Sequence, residues 1–389
     1  MRDFDIIVVG AGPAGLGFAR ALEPTGLRIA LIERQAEAEL ASPPVDGREI
    51  ALTHRSVATL ERLGAWDRIA PEGVSALRGA RVYNGRSPLA LGFDPEGGGD
   101  ARLGCLVSNH LIRQSLFETI EGQPGVTLFA GTGVDHVHAE RAGATVALAD
   151  GRTLTATLLV AADSRFSMVR DQLGIPAEIN RLGKSMLVAR VSHALPNNGI
   201  ASEWFDYGQT IAMLPLGERR SSAVLTLPSE AIERIAAYPP ELLAAEIERR
   251  FDQRLGAMQL VSGPHVYPLA TTYARHFASD SAALIGDAAV GMHPVTAHGF
   301  NLGLQSGATL AHLIRVAVAR HRPIASPLLL RRYEARHRIA TRALYSGTNL
   351  LVRLYTAEHR GARFARRTGL AAARMAPVNT AITRMLLRH

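Results

Sequence analysis

The chain of 389 residues is 47% hydrophobic and 20% charged, a globular balance with room for two interleaved domains. Its net charge of +8 rests on arginine, since Lys184 is the only lysine, and from Arg331 to His389 the only acids are Glu334 and Glu358. With aromatics at 5% and no nucleic-acid motif, that basicity does not point to a nucleic-acid partner.

Phe4 to Val9 is a short β-branched run, the pattern of a strand buried on both faces. No charged leader with an apolar core precedes it, so a cytoplasmic protein is expected. Gly10 to Gly15 reads as a turn, Leu16 to Leu22 as a helix, and Arg28 to Ile32 as a second buried strand ending at Glu33. Gln35 to Gly47, with Pro43 and Pro44, reads as loop. Ser56 to Ile69 has leucines at helical spacing, and Leu77 to Ala101 breaks into short alternating strands. The single cysteine, Cys105, excludes an intramolecular disulfide and a multi-cysteine metal site.

Asn109 to Glu121 is helical again, followed by strands at Val126 to Ala130, Gly133 to Ala139, Ala144 to Ala149 and Leu154 to Ala162, the last ending at Asp163. Between Lys184 and Leu227, stretches such as Ser202 to Tyr207, Thr210 to Pro215 and Ser221 to Leu227 predict an antiparallel sheet. Pro239 to Phe251 is an amphipathic helix, Ala282 to Ile285 a buried strand, and Leu302 to Ala319 a long helix with mostly helix beyond it. No apolar run approaches the ~20 residues that span a bilayer. The alternation of βα and all-β segments implies one domain inserted into another.

Gly10-Ala11-Gly12-Pro13-Ala14-Gly15 fits the dinucleotide pattern G-x-G-x-x-G. Gly10 permits the tight turn, Gly12 lets backbone approach a pyrophosphate, and Gly15 lets the helix pack close to the strand. The helix start then offers unpaired amides to phosphate charge. Glu33, followed by Arg34, ends the next strand at the right distance to accept hydrogen bonds from an adenosine ribose. The competing reading is a plain glycine turn beside a solvated glutamate, and the fingerprint does not separate NAD from FAD. Leu284 to Ala289 bears on that choice. A strand ending in Gly286-Asp287 puts a carboxylate where ribityl hydroxyls of a flavin could meet it, although a Gly-Asp turn alone is ordinary. The loop from His293 to Asn301 would aim the amides of Gly299, Phe300 and Asn301 at a ligand, where a helix start stabilises the negative charge of reduced flavin.

Other groups read more plainly. His293 beside Pro294 is taken as loop architecture, and His298 as structural or as a neighbour of the flavin, together with Pro294. His136 and His138 alternate on a strand with no acid or cysteine to complete a metal set. No serine nucleophile elbow occurs, so no catalytic side chain is expected. Trp204, Phe205 and Tyr207 could line an apolar pocket or pack within the sheet.

Taken together, nearly the whole chain resembles the FAD-dependent aromatic hydroxylases, and within them those of ubiquinone biosynthesis. Asp46-Gly47-Arg48 resembles the family's Asp-Gly-Arg segment and implies Arg48 near the flavin. Asn109 to Arg113 resembles the segment whose arginine contacts FAD, here Arg113, and Val134 falls where the family's backbone passes the adenine. Leu159 to Arg170 resembles the Asp-Gly motif that includes Asp163. Tyr267-Pro268-Leu269 and Ala283 to Leu304 resemble the flavin-binding loop, and Pro294 to Asn301 resembles the subset acting on ubiquinone precursors. Two departures stand out: Ser164 replaces the family's glycine, which bears on NADPH contact, and His298-Gly299 replaces Gln-Gly.

The resemblance implies an α/β fold: a Rossmann-like FAD-binding domain of the glutathione-reductase type, from residues 1–75, 102–180 and 265–320. A substrate domain on an antiparallel sheet, from 76–101 and 181–264, would interleave with it, and 321–389 would form a C-terminal helical region. The implied activity is hydroxylation of an electron-rich aromatic ring, that of a ubiquinone-biosynthesis intermediate, through a C4a-hydroperoxyflavin, using O2 and NAD(P)H. Rival readings are a flavin reductase or dehydrogenase without oxygen insertion, and a non-catalytic flavin-binding subunit of a quinone-synthesis complex. The basic tail, with Leu350, Leu351, Leu354, Leu370, Met385, Leu386 and Leu387, reads equally as a peripheral membrane helix or a core-packing helix.

Overall fold

The structure, a computed structural model, describes residues 2–85, 90–95, 101–206 and 208–356, with Thr296 and 351–356 described by backbone alone. Phe4–Val9 lies inside an eight-stranded sheet, parallel to Ile29–Glu33 on one side and Thr153–Ala161 on the other. Val126–Ala130 extends it beyond Ile29–Glu33, and Ala282–Leu284 lies parallel to Thr153–Ala161. The apolar run reads as it does because both faces are covered: Ile6, Ile7 and Val8 are fully buried. Val134–Glu140 and Gly143–Leu148 attach antiparallel to the first half of Thr153–Ala161.

A second eight-stranded sheet is mostly antiparallel, in the order Val290–Gly291, Met258–Ala274, Ala177–His193, Arg220–Pro228, Gln209–Pro215, Ile200–Asp206, Gly79–Asn84 and Leu91–Phe93. Helices Ser229–Ala236 and Pro240–Arg250 cover one face, burying Leu187, Trp204, Ile211, Leu225 and Ile247 in a core of their own. Ala177–His193 and Met258–Ala274 are each 17 residues long, so the expected divisions at 180/181 and 264/265 fall inside strands of this sheet. Gly263, Pro264 and Pro268 hide the second of these strands from pattern reading, because proline disrupts the alternation that marks a strand. A small third sheet of Glu49–Leu52, Gly104–Ser108 and Val74–Leu77 bridges the other two.

The helix expected from Leu302 starts at Gly299 and runs to Ala319. It alone among the described residues has the length and apolarity to cross a membrane, but it packs inside the fold. A Cβ at Gly307 would lie 3.2 Å from the Ala14 carbonyl oxygen, and one at Gly303 would lie 3.4 Å from Gly286 Cα. The last described helix, Pro327–Thr356, is also anchored. Fully buried Tyr333 donates to the Leu284 carbonyl at 2.5 Å, and His337, Leu344 and Tyr345 are buried beside it. Of the tail residues weighed between membrane and core, Leu350 is 67% exposed, and only the backbone of Leu351 and Leu354 is described. Leu370, Met385, Leu386 and Leu387 lie outside the described residues.

Candidate cofactor and substrate site

The glycine turn is built as the motif requires. Gly10 has φ +105°, and a Cβ there would lie 2.5 Å from the Ala162 carbonyl oxygen. A Cβ at Gly15 would sit 2.0 Å from the Gly10 carbonyl oxygen, so only glycine lets the helix begin this close to the strand. Gly12 differs: a Cβ there meets no protein atom within 4 Å. Smallness at Gly12 therefore serves space outside the chain. The first helical bond runs from Leu16 N–H to Gly12 O at 2.9 Å, which leaves the amides of Ala14 and Gly15 ahead of the helical ladder, with Pro13 donating none.

Glu33 is fixed against this turn, accepting from Ala11 N–H at 2.8 Å and Gln35 N–H at 3.0 Å. Arg113 donates to Gln35 Oε1 at 2.7 Å, and Thr132 N–H donates to the Glu33 carbonyl at 3.2 Å, which brings the segment leading to Val134 alongside. Burial lowers the Arg113 guanidinium from its ordinary value. Arg34 points outward and is exposed.

The two halves of the motif set meet at Gly286. It has φ +61°, a Cβ on it would lie 3.0 Å from Ala14 Cβ, and its N–H donates to Ser306 Oγ at 2.8 Å. Asp287 is paired with Arg165 at 2.9 Å, and Arg165 also donates to the Ala270 carbonyl at 2.8 Å. At the second helix start, Leu302 N–H to His298 O at 3.0 Å is the first helical bond, so the amides of Gly299, Phe300 and Asn301 precede the ladder. The Asn301 side chain is structural: it donates to Ala51 O at 2.9 Å and Ala297 O at 3.0 Å, and accepts from Thr53 N–H at 3.2 Å.

A family model described as an FAD binding domain matches residues 3–346. The chain belongs to this family, and FAD is its cofactor. It is similar to the ubiquinone hydroxylase UbiM of Neisseria meningitidis, 45% identical, covering 98% of this chain and 84% of that protein. It is also similar to the ubiquinone hydroxylase UbiL of Rhodospirillum rubrum, 33% identical over 99% of this chain and 89% of that one. In fold it matches the crystal structure of p-nitrophenol 4-monooxygenase PnpA from Pseudomonas putida, with a TM-score of 0.76, 19% identity and coverage of 100% and 99%.

The chain's residues fit FAD. The open space at Gly12, two helix starts with amides outside their ladders, and a carboxylate at each of two strand ends match a long ligand with a charged middle and polar sugars. Asp46 ties the expected flavin neighbour Arg48 in place: Arg48 Nη2 donates to Asp46 Oδ2 at 2.6 Å and Asn109 Nδ2 donates to the same oxygen at 2.7 Å. The Tyr267 hydroxyl donates to the Asp46 carbonyl at 2.5 Å, and the Arg48 guanidinium lies 5.4 Å from the Tyr267 ring centre. The Arg48 cation and hydrogen bonds hold Asp46 below the usual carboxylate range, against burial, the largest single influence on it.

Asp163 has an internal duty that sequence did not show, and the loop role read for His293 takes a definite form. Asp163 accepts from Ser167 Oγ at 2.6 Å and Val169 N–H at 3.2 Å, capping Met168–Gln172, and burial raises its carboxyl. Ser164 adopts φ +95°, so it keeps the backbone shape a glycine gives. His293 caps the turn begun by Pro294, accepting from Val295 N–H at 3.2 Å through Nδ1. Burial, with Lys184 and Arg165 nearby, lowers His293 to about 4, and His298 is buried at the head of the long helix. Arg165, Asn109 and the Arg190–Glu49 pair at 2.6 Å were not anticipated as site builders, because their partners are distant in sequence and periodicity carries no trace of them.

Proposed function

We propose that this protein is a flavin monooxygenase that hydroxylates the electron-rich ring of a ubiquinone precursor, with O2 as oxygen source and NAD(P)H as electron donor. The observation that carries the reading is the 45% identity to a ubiquinone hydroxylase along 98% of the chain. The site supports it by bringing the strand-end turn at Gly286 against Ala14 in the first turn of Pro13–Ala21, while Gly303 of the second helix packs against Gly286.

In this reading Gly10, Gly12, Pro13, Ala14 and Gly15 receive the pyrophosphate, Glu33 and Arg34 the ribose side, and Val134 the adenine. Arg48, Arg113, Asp163, Gly286 and Asp287 hold the flavin and its ribityl chain, and Pro294, Gly299, Phe300 and Asn301 frame its anionic edge. Bound FAD supplies electron transfer and oxygen activation. The chain supplies orientation, exclusion of water and the amide dipoles that stabilise negative charge. The first sheet serves the cofactor and the second the substrate. A polyprenyl substrate would bring the enzyme to a membrane surface, where the arginine-rich sequence after Thr356 suits anionic lipid.

The test is turnover under oxygen-18 gas. Product carrying one labelled oxygen is expected, and product oxygen drawn from water rejects the reading. Equal liposome binding with and without residues 357–389 rejects the membrane role alone.

A further inference from the structure

The second sheet has one face packed against helices and one that is not. Trp204, Ile211, Met213, Ala223 and Leu187 point into the helix-covered core. Neighbouring side chains alternate, so Glu203, Ala212, Val224 and Val188 point the other way. Strand register sets them side by side: Val82 pairs with Glu203, Glu203 with Ala212, Ala212 with Val224, Val224 with Val188, and Val188 with His265. The result is one row of small apolar side chains with a carboxylate near one end and a histidine at the other. Val188 and Ala212 are buried, as is Phe205 on the same face, yet none of them belongs to either large apolar core.

This row faces the space next to the cofactor segment. The His265 ring lies against Gly47, where a Cβ would fall 2.6 Å from Cδ2. The small sheet closes over it: Arg190, on the same face as Val188, reaches Glu49 at 2.6 Å and Ser108 at 2.8 Å. From Glu203 to His265 is four strand spacings, roughly 19 Å, wide enough for an aromatic ring beside a flavin edge.

Glu203 has no internal purpose here. Among the described residues its carboxyl makes no hydrogen bond or salt bridge, and the residue keeps some accessible surface although protein encloses it. A carboxyl without a partner in an apolar wall destabilises the fold, so a polar group from outside the chain is the natural counterpart. We infer that Glu203 binds the ring hydroxyl of the aromatic substrate, accepting its hydrogen bond and orienting the ring in the cavity. Burial pushes the carboxyl up to about 8, far closer to the ~10 of a phenol than a solvated carboxylate is. The shared proton is then more evenly held, which leaves the ring richer in electrons. Charged or neutral, the group offers an acceptor oxygen. The inference rests on the hydroxylase reading for the class of ligand.

The experiment uses FAD-loaded enzyme and two probes, 2-geranylphenol and its O-methyl ether, with Kd read from the change in flavin absorbance. Glu203→Leu is expected to weaken the phenol about tenfold to a hundredfold and the ether less than about twofold, with a thermal midpoint at or above wild type because an unpartnered buried carboxyl is gone. Unchanged phenol binding, or equal weakening of both probes, overturns the inference. If the leucine variant does not retain FAD, Glu203→Gln is read the same way, with selective loss for the phenol of about threefold to tenfold. The hydroxylase reading fails separately: a wild type that discriminates phenol from ether through Glu203 but places no oxygen from O2 in any phenolic product keeps the contact and loses the reaction.

Discussion

Gly12 and Gly15 belong to one motif but should fail in opposite ways when each is changed to alanine. A Cβ at Gly15 would come within 2.0 Å of the Gly10 carbonyl oxygen, well inside the ~3.2 Å of a normal carbon–oxygen contact. Relief requires the helix to move by about 1 Å in a fully packed layer, where Leu16, Phe18 and Ala19 are all buried. Overpacking of this kind costs about 1–3 kcal/mol, or more where backbone blocks the way. Gly12 has φ −74° and ψ 176°, open to any residue, and its Cβ would meet nothing. Gly12→Ala should therefore leave the flavin-free protein as stable as wild type, or about 0.5 kcal/mol more stable through lost unfolded-state freedom. Its effect should fall on FAD, because the added methyl occupies the approach to the pyrophosphate, and at least a tenfold loss of affinity is expected. The assay is thermal unfolding of flavin-stripped protein, since bound FAD would mask intrinsic stability, together with FAD titration by fluorescence quenching. If Gly12→Ala lowers the apo midpoint as much as Gly15→Ala does, or binds FAD like wild type, the assignment of Gly12 to the ligand is wrong.

Arg190→Ala should cost about 3 kcal/mol or more in urea unfolding, because Glu49, 1% exposed, loses its ion-pair partner inside the protein. Adding Glu49→Leu should recover most of that loss, and a double variant as unstable as the single one would refute the charge argument. His337 is buried between Phe277 and Tyr333, and burial lowers it to about 3. With its folded value below the ordinary ~6.5, the unfolded chain takes the proton first, so its contribution is whole above about 6.5 and is lost as pH falls toward 3. The stability of His337→Phe relative to wild type should therefore rise as pH falls, by up to about 1 kcal/mol for each unit of decrease across that window, and a pH-independent difference would refute the assignment. Ser164→Gly should raise the thermal midpoint, since serine at φ +95° is strained by about 1 kcal/mol or more, while FAD affinity stays unchanged. A lowered midpoint would mean that the serine side chain holds something in place.

The cofactor half of the site was readable because its requirements are local. A strand, a glycine turn, a helix and an acid at the next strand end each follow from adjacent residues: Gly10 and Gly15 make the close approaches of the turn, and Glu33 ends the next strand, bonded to Ala11 N–H. Gly286 was marked by its place with Asp287 at the end of a buried strand, and its φ of +61° suits glycine. What stayed hidden depends on register. Glu203 sits between Ser202 and Trp204 with nothing to distinguish it. Only the pairing of five strands shows that it faces an apolar row. Asp163 was read toward the cofactor because the resemblance implies it, whereas its hydrogen bonds to Ser167 and Val169 depend on how the following turn closes. The long strand Met258–Ala274 escaped because its prolines break the pattern while its partner, Ala177–His193, supplies the pairing.

Several costly features of this fold lie beside the cofactor and substrate positions argued above. Gly10 and Gly286 hold left-handed backbone, Ser164 and Ala297 do so without the freedom of glycine, and all four stand where the first sheet ends and the loops toward the second begin. Glu203, across the gap, adds a carboxyl whose folded value lies above its unfolded one, so it subtracts stability increasingly as pH rises from about 4.5 to 8. Random drift would relieve such strain one position at a time, since glycine at Ser164 or leucine at Glu203 is a single change each. At these positions the cost fits a shared ligand: backbone close enough for its phosphates, and an acceptor in an otherwise apolar wall for its substrate. The two large apolar cores supply the stability against which these exceptions are held.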